Sequence, residues 1–102
     1  MSLKKQFLKS QRVCKVTFTL PNKATKSGGK VFIVGDFNNW ENNATPMRKL
    51  KNGNFTISLN LETGKEYQFR YLIDNKYWEN DWEADRYVQS PFPDIENSVV
   101  II

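Results

Sequence analysis

The chain has 102 residues, 39% of them apolar and 14% aromatic, with no histidine and a single cysteine. That is enough apolar surface for one modest core, too much for a disordered chain and too little length for two domains. One cysteine excludes an internal disulfide, no apolar run approaches the length of a membrane span, and the absence of histidine removes the commonest general base and zinc ligand. The formal net charge of +4 is uneven. Residues 1–30 hold eight of the fifteen basic side chains and no acid, whereas all eleven acids fall after them. Residues 1–12 are expected to form a basic, solvated arm. Lacking the continuous apolar stretch of an export signal, this terminus suggests a cytoplasmic chain.

Strand signals dominate the remainder, 13–102. From Val13 to Leu20, Cys14, Val16, Phe18 and Leu20 alternate with Lys15, Thr17 and Thr19, the period of a half-buried strand. Pro21 ends it, and a polar loop with a Ser-Gly-Gly tip follows. Lys30 to Gly35 is nearly continuously apolar and predicts a central strand. Asn52-Gly53 has the chemistry of a two-residue hairpin turn with both residues at positive φ. Phe55, Ile57, Leu59 and Leu61 then alternate with polar residues, Thr63-Gly64 marks a turn, and Tyr67, Phe69, Tyr71 and Ile73 form the next inward face. Asp74-Asn75-Lys76 predicts another tight turn before Tyr77-Trp78, and Val99 to Ile102 supplies a last apolar strand. No helical periodicity of useful length occurs. The pattern predicts an all-β sandwich of about seven strands.

Two segments stand out as carriers of function. In Gly35-Asp36-Phe37-Asn38-Asn39-Trp40, Gly35 is expected to allow an unusual backbone angle, Phe37 to plug the core, and Trp40 to lie among polar residues with its ring partly in water. In the second, Arg70 should face outward from its strand, followed by Tyr77 and Trp78. Trp82 is expected to be a packing residue, and the acidic run from Glu79 to Asp85 a solvated turn. Flat aromatic rings beside Asn and Arg suit a sugar. An indole covers the C–H face of a glucose ring, the amide offers a donor and an acceptor to hydroxyls, and Arg adds charge-assisted donors.

The run from Lys30 to Trp40, then Tyr67 to Asp74 with Trp78-Glu79-Asn80-Asp81, then Asn97-Ser98-Val99-Val100, resembles carbohydrate-binding module family 48. These isoamylase N-terminal-like modules include the glycogen-binding domain of the AMP-activated protein kinase β subunit. The resemblance implies an immunoglobulin-like, early-set β-sandwich that binds α-1,4-linked glucan by aromatic stacking, without catalysis, cofactor or metal. It implies Trp40 and Trp78 as the stacking rings, with Arg70 and Asn97 bonding hydroxyls. The turn before Trp78 is one residue longer than in the kinase subunit, which makes Tyr77 a rival for the second ring. The expected partner is an α-glucan polysaccharide or oligosaccharide, with a separately encoded glucan-active enzyme as a further one to consider. Nucleic acid is not expected, because the basic residues cluster in the arm while the wet aromatics lie in acidic and Asn-rich loops. Nor is a membrane. A protein-interaction or scaffold module that kept the fold without sugar binding is the alternative.

Overall fold

The computed structural model describes residues 3–8, 12–25 and 29–102, so residues 1–2 and 9–11 of the expected arm and the Ser27-Gly28 part of the predicted loop tip lie outside the described residues. The strands, in chain order, are β1 (Leu3–Leu8), β2 (Val13–Leu20), β3 (Val31–Gly35), β4 (Arg48–Lys49), β5 (Phe55–Glu62), β6 (Glu66–Ile73), β7 (Tyr77–Glu79), β8 (Arg86–Gln89) and β9 (Glu96–Ile101). One sheet has the order β1-β2-β5-β4. The other has the order β3-β6-β9-β8, with β7 also on β6. Every pairing is antiparallel. This is the expected all-β sandwich, with β1 and the two-residue β4 taking the strand number above seven among the described residues.

The alternating segments place their apolar sides together. Cys14, Val16 and Phe18 of β2 are fully buried, as are Phe69 and Tyr71 of β6, and Phe55 and Leu61 of β5 join the same cluster. Phe37 packs against this core as expected, with its ring centroid 5.8 Å from Phe18 and 6.4 Å from Phe69. Each buried side chain of this size stabilises the fold by about 1.5–3 kcal/mol before ordering costs.

Three local expectations are corrected. First, the basic segment expected as an arm is, over Leu3–Leu8, an edge strand paired with β2 at every residue. Leu3 is buried against the core, and Lys5 reaches across the open side of the sandwich to Asp85 (Nζ to Oδ2 2.7 Å). A lysine on the inward face hides the alternation from a local reading. Second, β3 is an edge strand, not a central one. Its apolarity has another cause: residues 45–47 cover its free edge, with Ile33 N–H donating to Thr45 O (3.0 Å) and Met47 N–H to Val31 O (2.8 Å). Third, the loop joining β4 to β5 has only Gly53 at positive φ (91°), with Gly53 N–H donating to Leu50 O (2.9 Å). The two-residue turn with both residues left-handed occurs instead at Asp74 and Asn75 (φ 53° and 58°), between β6 and β7. Its twist matches that of the flanking strands.

The acidic turn is also less solvated than expected. Asp81 is 1% exposed; its carboxylate accepts from Tyr71 Oη (2.7 Å) and Glu83 N–H (2.8 Å), and its own N–H donates to Ser98 Oγ (2.8 Å). Tyr71 is pushed well above the usual tyrosine value of 10.0, first by burial and then by the Asp81 charge and hydrogen bond. This network pins the β7–β8 connection onto the floor of the second sheet.

Candidate carbohydrate-binding groove

Strand β6 has two faces with different fates. Phe69, Tyr71 and Ile73 point into the core, so Gln68, Arg70 and Leu72 point the other way. Cross-strand register puts Val34 opposite Arg70, Trp78 opposite Leu72 and Val99 opposite Gln68 on that outer face. Val34, Leu72 and Val99 are almost fully buried yet stand outside the core cluster, so they floor a second, covered surface. On one side, β6 pairs with β9 as far as Phe69–Ser98 and with β7 from Tyr71–Glu79 onward. Arg70 lies at the fork between these two partners.

A groove of ≈ 480 Å³ opens over this fork, and Trp40, Trp78, Arg70 and Asn97 all line it. Trp40 arrives from the end of β3. Gly35 there has φ −173° and ψ −168°, an extended backbone open to any residue, so the expectation of an unusual angle is corrected. Space is what requires glycine: a Cβ on Gly35 would lie 2.5 Å from Gln68 O and 2.7 Å from Phe69 Cβ. After the short turn Asp36–Asn38, Asn39 and Trp40 both take positive φ (57° and 58°), and Trp40 N–H donates back to Gly35 O (2.9 Å). Asn38 ties the loop down: its Oδ1 accepts from Gly35 N–H and its Nδ2 donates to Ile33 O and Thr45 Oγ1. The Trp40 indole N–H donates to Asp36 Oδ1 (2.9 Å).

The guanidinium of Arg70 lies over both indoles, with Cζ 4.6 Å from the Trp78 ring centroid and 6.0 Å from that of Trp40. A cation over two ring faces is attracted by both quadrupoles and holds the rings to one groove. Burial lowers the Arg70 pKa from its usual value, without threatening a charge that proteins do not remove. Arg70 Nε is buried with no hydrogen-bond partner among the described residues, and so is Asn97 Oδ1. Asn97 is 4% exposed and donates from Nδ2 to Gln68 Oε1 (3.0 Å). Both residues line the groove, so one unmet donor and one unmet acceptor lie covered beside its aromatic walls.

Tyr77 is not brought to this groove. It pairs with Ile73 on the opposite face of the sheet and is 51% exposed there. Trp82 is 49% exposed, with Lys23 Nζ 5.7 Å above its ring, and so is a surface residue rather than the expected packing one. Among the groove residues that the sequence reading did not assign a role are Asp36, Gln68 and Phe92. Phe92 is 61% exposed and lines the groove from the β8–β9 loop. Its signal was an aromatic between Pro91 and Pro93, in a segment that no strand pattern explains.

No curated protein matches the sequence. A family model described as the glycogen recognition site of AMP-activated protein kinase matches residues 16–90. The match takes in Trp40, Arg70, Tyr77 and Trp78 and stops short of Asn97. It spans well over half of the chain, and its fold is the sandwich described above. The chain therefore belongs to the glycogen recognition site family of AMP-activated protein kinase, modules of the carbohydrate-binding family 48 type.

Proposed function

We propose that the outer-face groove binds an α-1,4-linked glucan without altering it chemically, with Trp40 and Trp78 stacking on glucose rings and Arg70 and Asn97 bonding their hydroxyls. The observation that carries this is the placement of both indoles about Arg70 in one groove that Asn97 also lines. Covering about 80 Å² of one indole face with a sugar is worth roughly 2 kcal/mol before ordering costs. Single contacts of this size are weak, and a polymer strengthens them by repetition. Binding without catalysis fits the carboxylates as well. Glycosidic cleavage needs two carboxyl groups across the bond, whereas Asp36 is the lone carboxylate among the described groove residues and already accepts two hydrogen bonds. A glucan held in this way would bring the module alongside separately encoded enzymes acting on the same polymer.

Affinity electrophoresis through gels containing glycogen tests the assignment. The parent chain is expected to be retarded, Trp40→Ala and Trp78→Ala much less so, and the retardation to be nearly insensitive to salt. A parent chain that runs unretarded overturns glucan binding. Variants retarded like the parent overturn the roles of the two rings.

A further inference from the structure

Trp40 occupies a backbone conformation that a bulky residue rarely takes, at φ 58°, directly after Asn39 at φ 57°. Such conformations are strained and persist only where surrounding contacts over-determine them. At Trp40 the contacts converge on one side chain. Asp36 Oδ1 accepts from the Trp40 indole N–H (2.9 Å), and Asp36 Oδ2 accepts from the backbone N–H of Gln68 (2.7 Å). Gln68 Oε1 in turn accepts from Asn97 Nδ2 (3.0 Å). Three segments far apart in sequence, the loop after β3, the first half of β6 and the start of β9, are linked in one line of hydrogen bonds along the groove.

We infer that Asp36 is a positioning residue for carbohydrate recognition: it clamps the Trp40 indole to β6, so that the ring is already in place beside Arg70 before a glucan arrives. Its carboxylate suits the task. Two oxygens accept from two N–H groups in different elements, and both bonds are charge-assisted, which makes them shorter and stronger than neutral ones. A neutral amide of the same size has only one acceptor oxygen and holds one of the two donors. Through Gln68 the same line fixes the amide of Asn97 with its Nδ2 engaged and its Oδ1 unpaired. Preorganising a ring removes an ordering cost from the binding step, so loss of the clamp acts on affinity more than on the fold.

The inference rests on the glucan assignment for its functional consequence and on Trp40 geometry for its structural one, and the test reads both. Asp36→Ala and Asp36→Asn are compared with the parent chain by retardation on glycogen, by thermal unfolding, and by solvent exchange of the Trp40 indole N–H in NMR spectra, assigned with Trp40→Phe. The expected result for Asp36→Ala is faster indole exchange and glycogen affinity weaker by about tenfold or more, the low end for a lost charge-assisted hydrogen bond. Asp36→Asn is expected to fall between Asp36→Ala and the parent on both readouts. Should Asp36→Ala fail to fold, Asp36→Asn decides. Unchanged indole exchange in the folded variants overturns the clamp, whatever happens to affinity; so does parental affinity with exchange accelerated. If the parent chain itself ignores glycogen, the glucan assignment fails, and indole exchange alone judges the clamp.

Discussion

Gly35→Ala is the most demanding test of how the fold builds this groove. The added methyl would sit 2.5 Å from Gln68 O, 2.7 Å from Phe69 Cβ and 3.0 Å from Phe69 Cα. The shortest ordinary carbon–oxygen approach is about 3.3 Å, so the overlap with the carbonyl is about 0.8 Å. Two of the three atoms are backbone of β6 and the third is the Cβ of a fully buried phenylalanine, so none turns aside as a flexible side-chain end would. Relief requires β3 and β6 to part at the Gly35–Phe69 pair, the last of the register that carries Asp36 and Trp40 to the groove. The cost should reach about 3 kcal/mol, the upper end of the range for overpacking a core. At about 4–8 °C per kcal/mol for a domain of this size, the melting temperature falls by about 12–24 °C. Differential scanning calorimetry measures it, with Gly29→Ala as a control, since a Cβ there meets nothing within 4 Å. Below its melting point Gly35→Ala should also bind glycogen more weakly than the parent, because the Gln68 N–H that Asp36 accepts moves with the parted strands. A melting temperature within roughly 4 °C of the parent, the shift expected from 1 kcal/mol, would refute the claim that close approach is why glycine stands at this position.

Trp78→Ala is expected to weaken glucan affinity about 30-fold, the equivalent of the roughly 2 kcal/mol assigned to one stacked face, as measured by calorimetric titration with maltoheptaose. Tyr77→Ala and Trp82→Ala, both outside the groove, should leave that affinity within about twofold; a loss at Tyr77 as large as at Trp78 would move the second ring to the opposite face. Tyr71→Phe removes the hydroxyl that Asp81 accepts from inside the core, and urea unfolding should show a loss of about 1.5–3 kcal/mol, typical for a hydrogen bond to a charged group. Alkaline pH should act on the same pair. Burial and Asp81 hold the Tyr71 proton in the folded chain above the value at which an unfolded tyrosine, near 10.0, gives it up. The folded state then binds more protons than the unfolded one, so stability is full below pH 10 and declines as pH rises past it. The limiting slope is about 1.4 kcal/mol per pH unit for this group, and Tyr71→Phe should lack that share in urea titrations between pH 9 and 11.5.

Much of the architecture is local in origin and legible in the chain. A strand with one face in the core repeats every two residues, so the inward sets of β2, β5 and β6 and the outward direction of Arg70 followed from the order of apolar and polar residues alone. The likeness to a glucan-binding family, which implied Trp78 as a stacking ring, was carried by short contiguous motifs. What stayed hidden depends on partners distant in sequence. The strand β1 was obscured because its inward Lys5 finds Asp85, eighty residues away. The edge position of β3 was obscured because residues 45–47 cover its free side, and the need for glycine at 35 because the obstructing atoms belong to Gln68 and Phe69. The groove itself belongs to this second class. Its clamp joins Asp36, Gln68 and Asn97 only once β3, β6 and β9 are in register, and its opening over Arg70 exists only because β9 gives way to β7 beside that residue. Periodicity reports which side of a strand faces the core, whereas the neighbour that lies across a sheet is chosen by how the whole chain closes on itself.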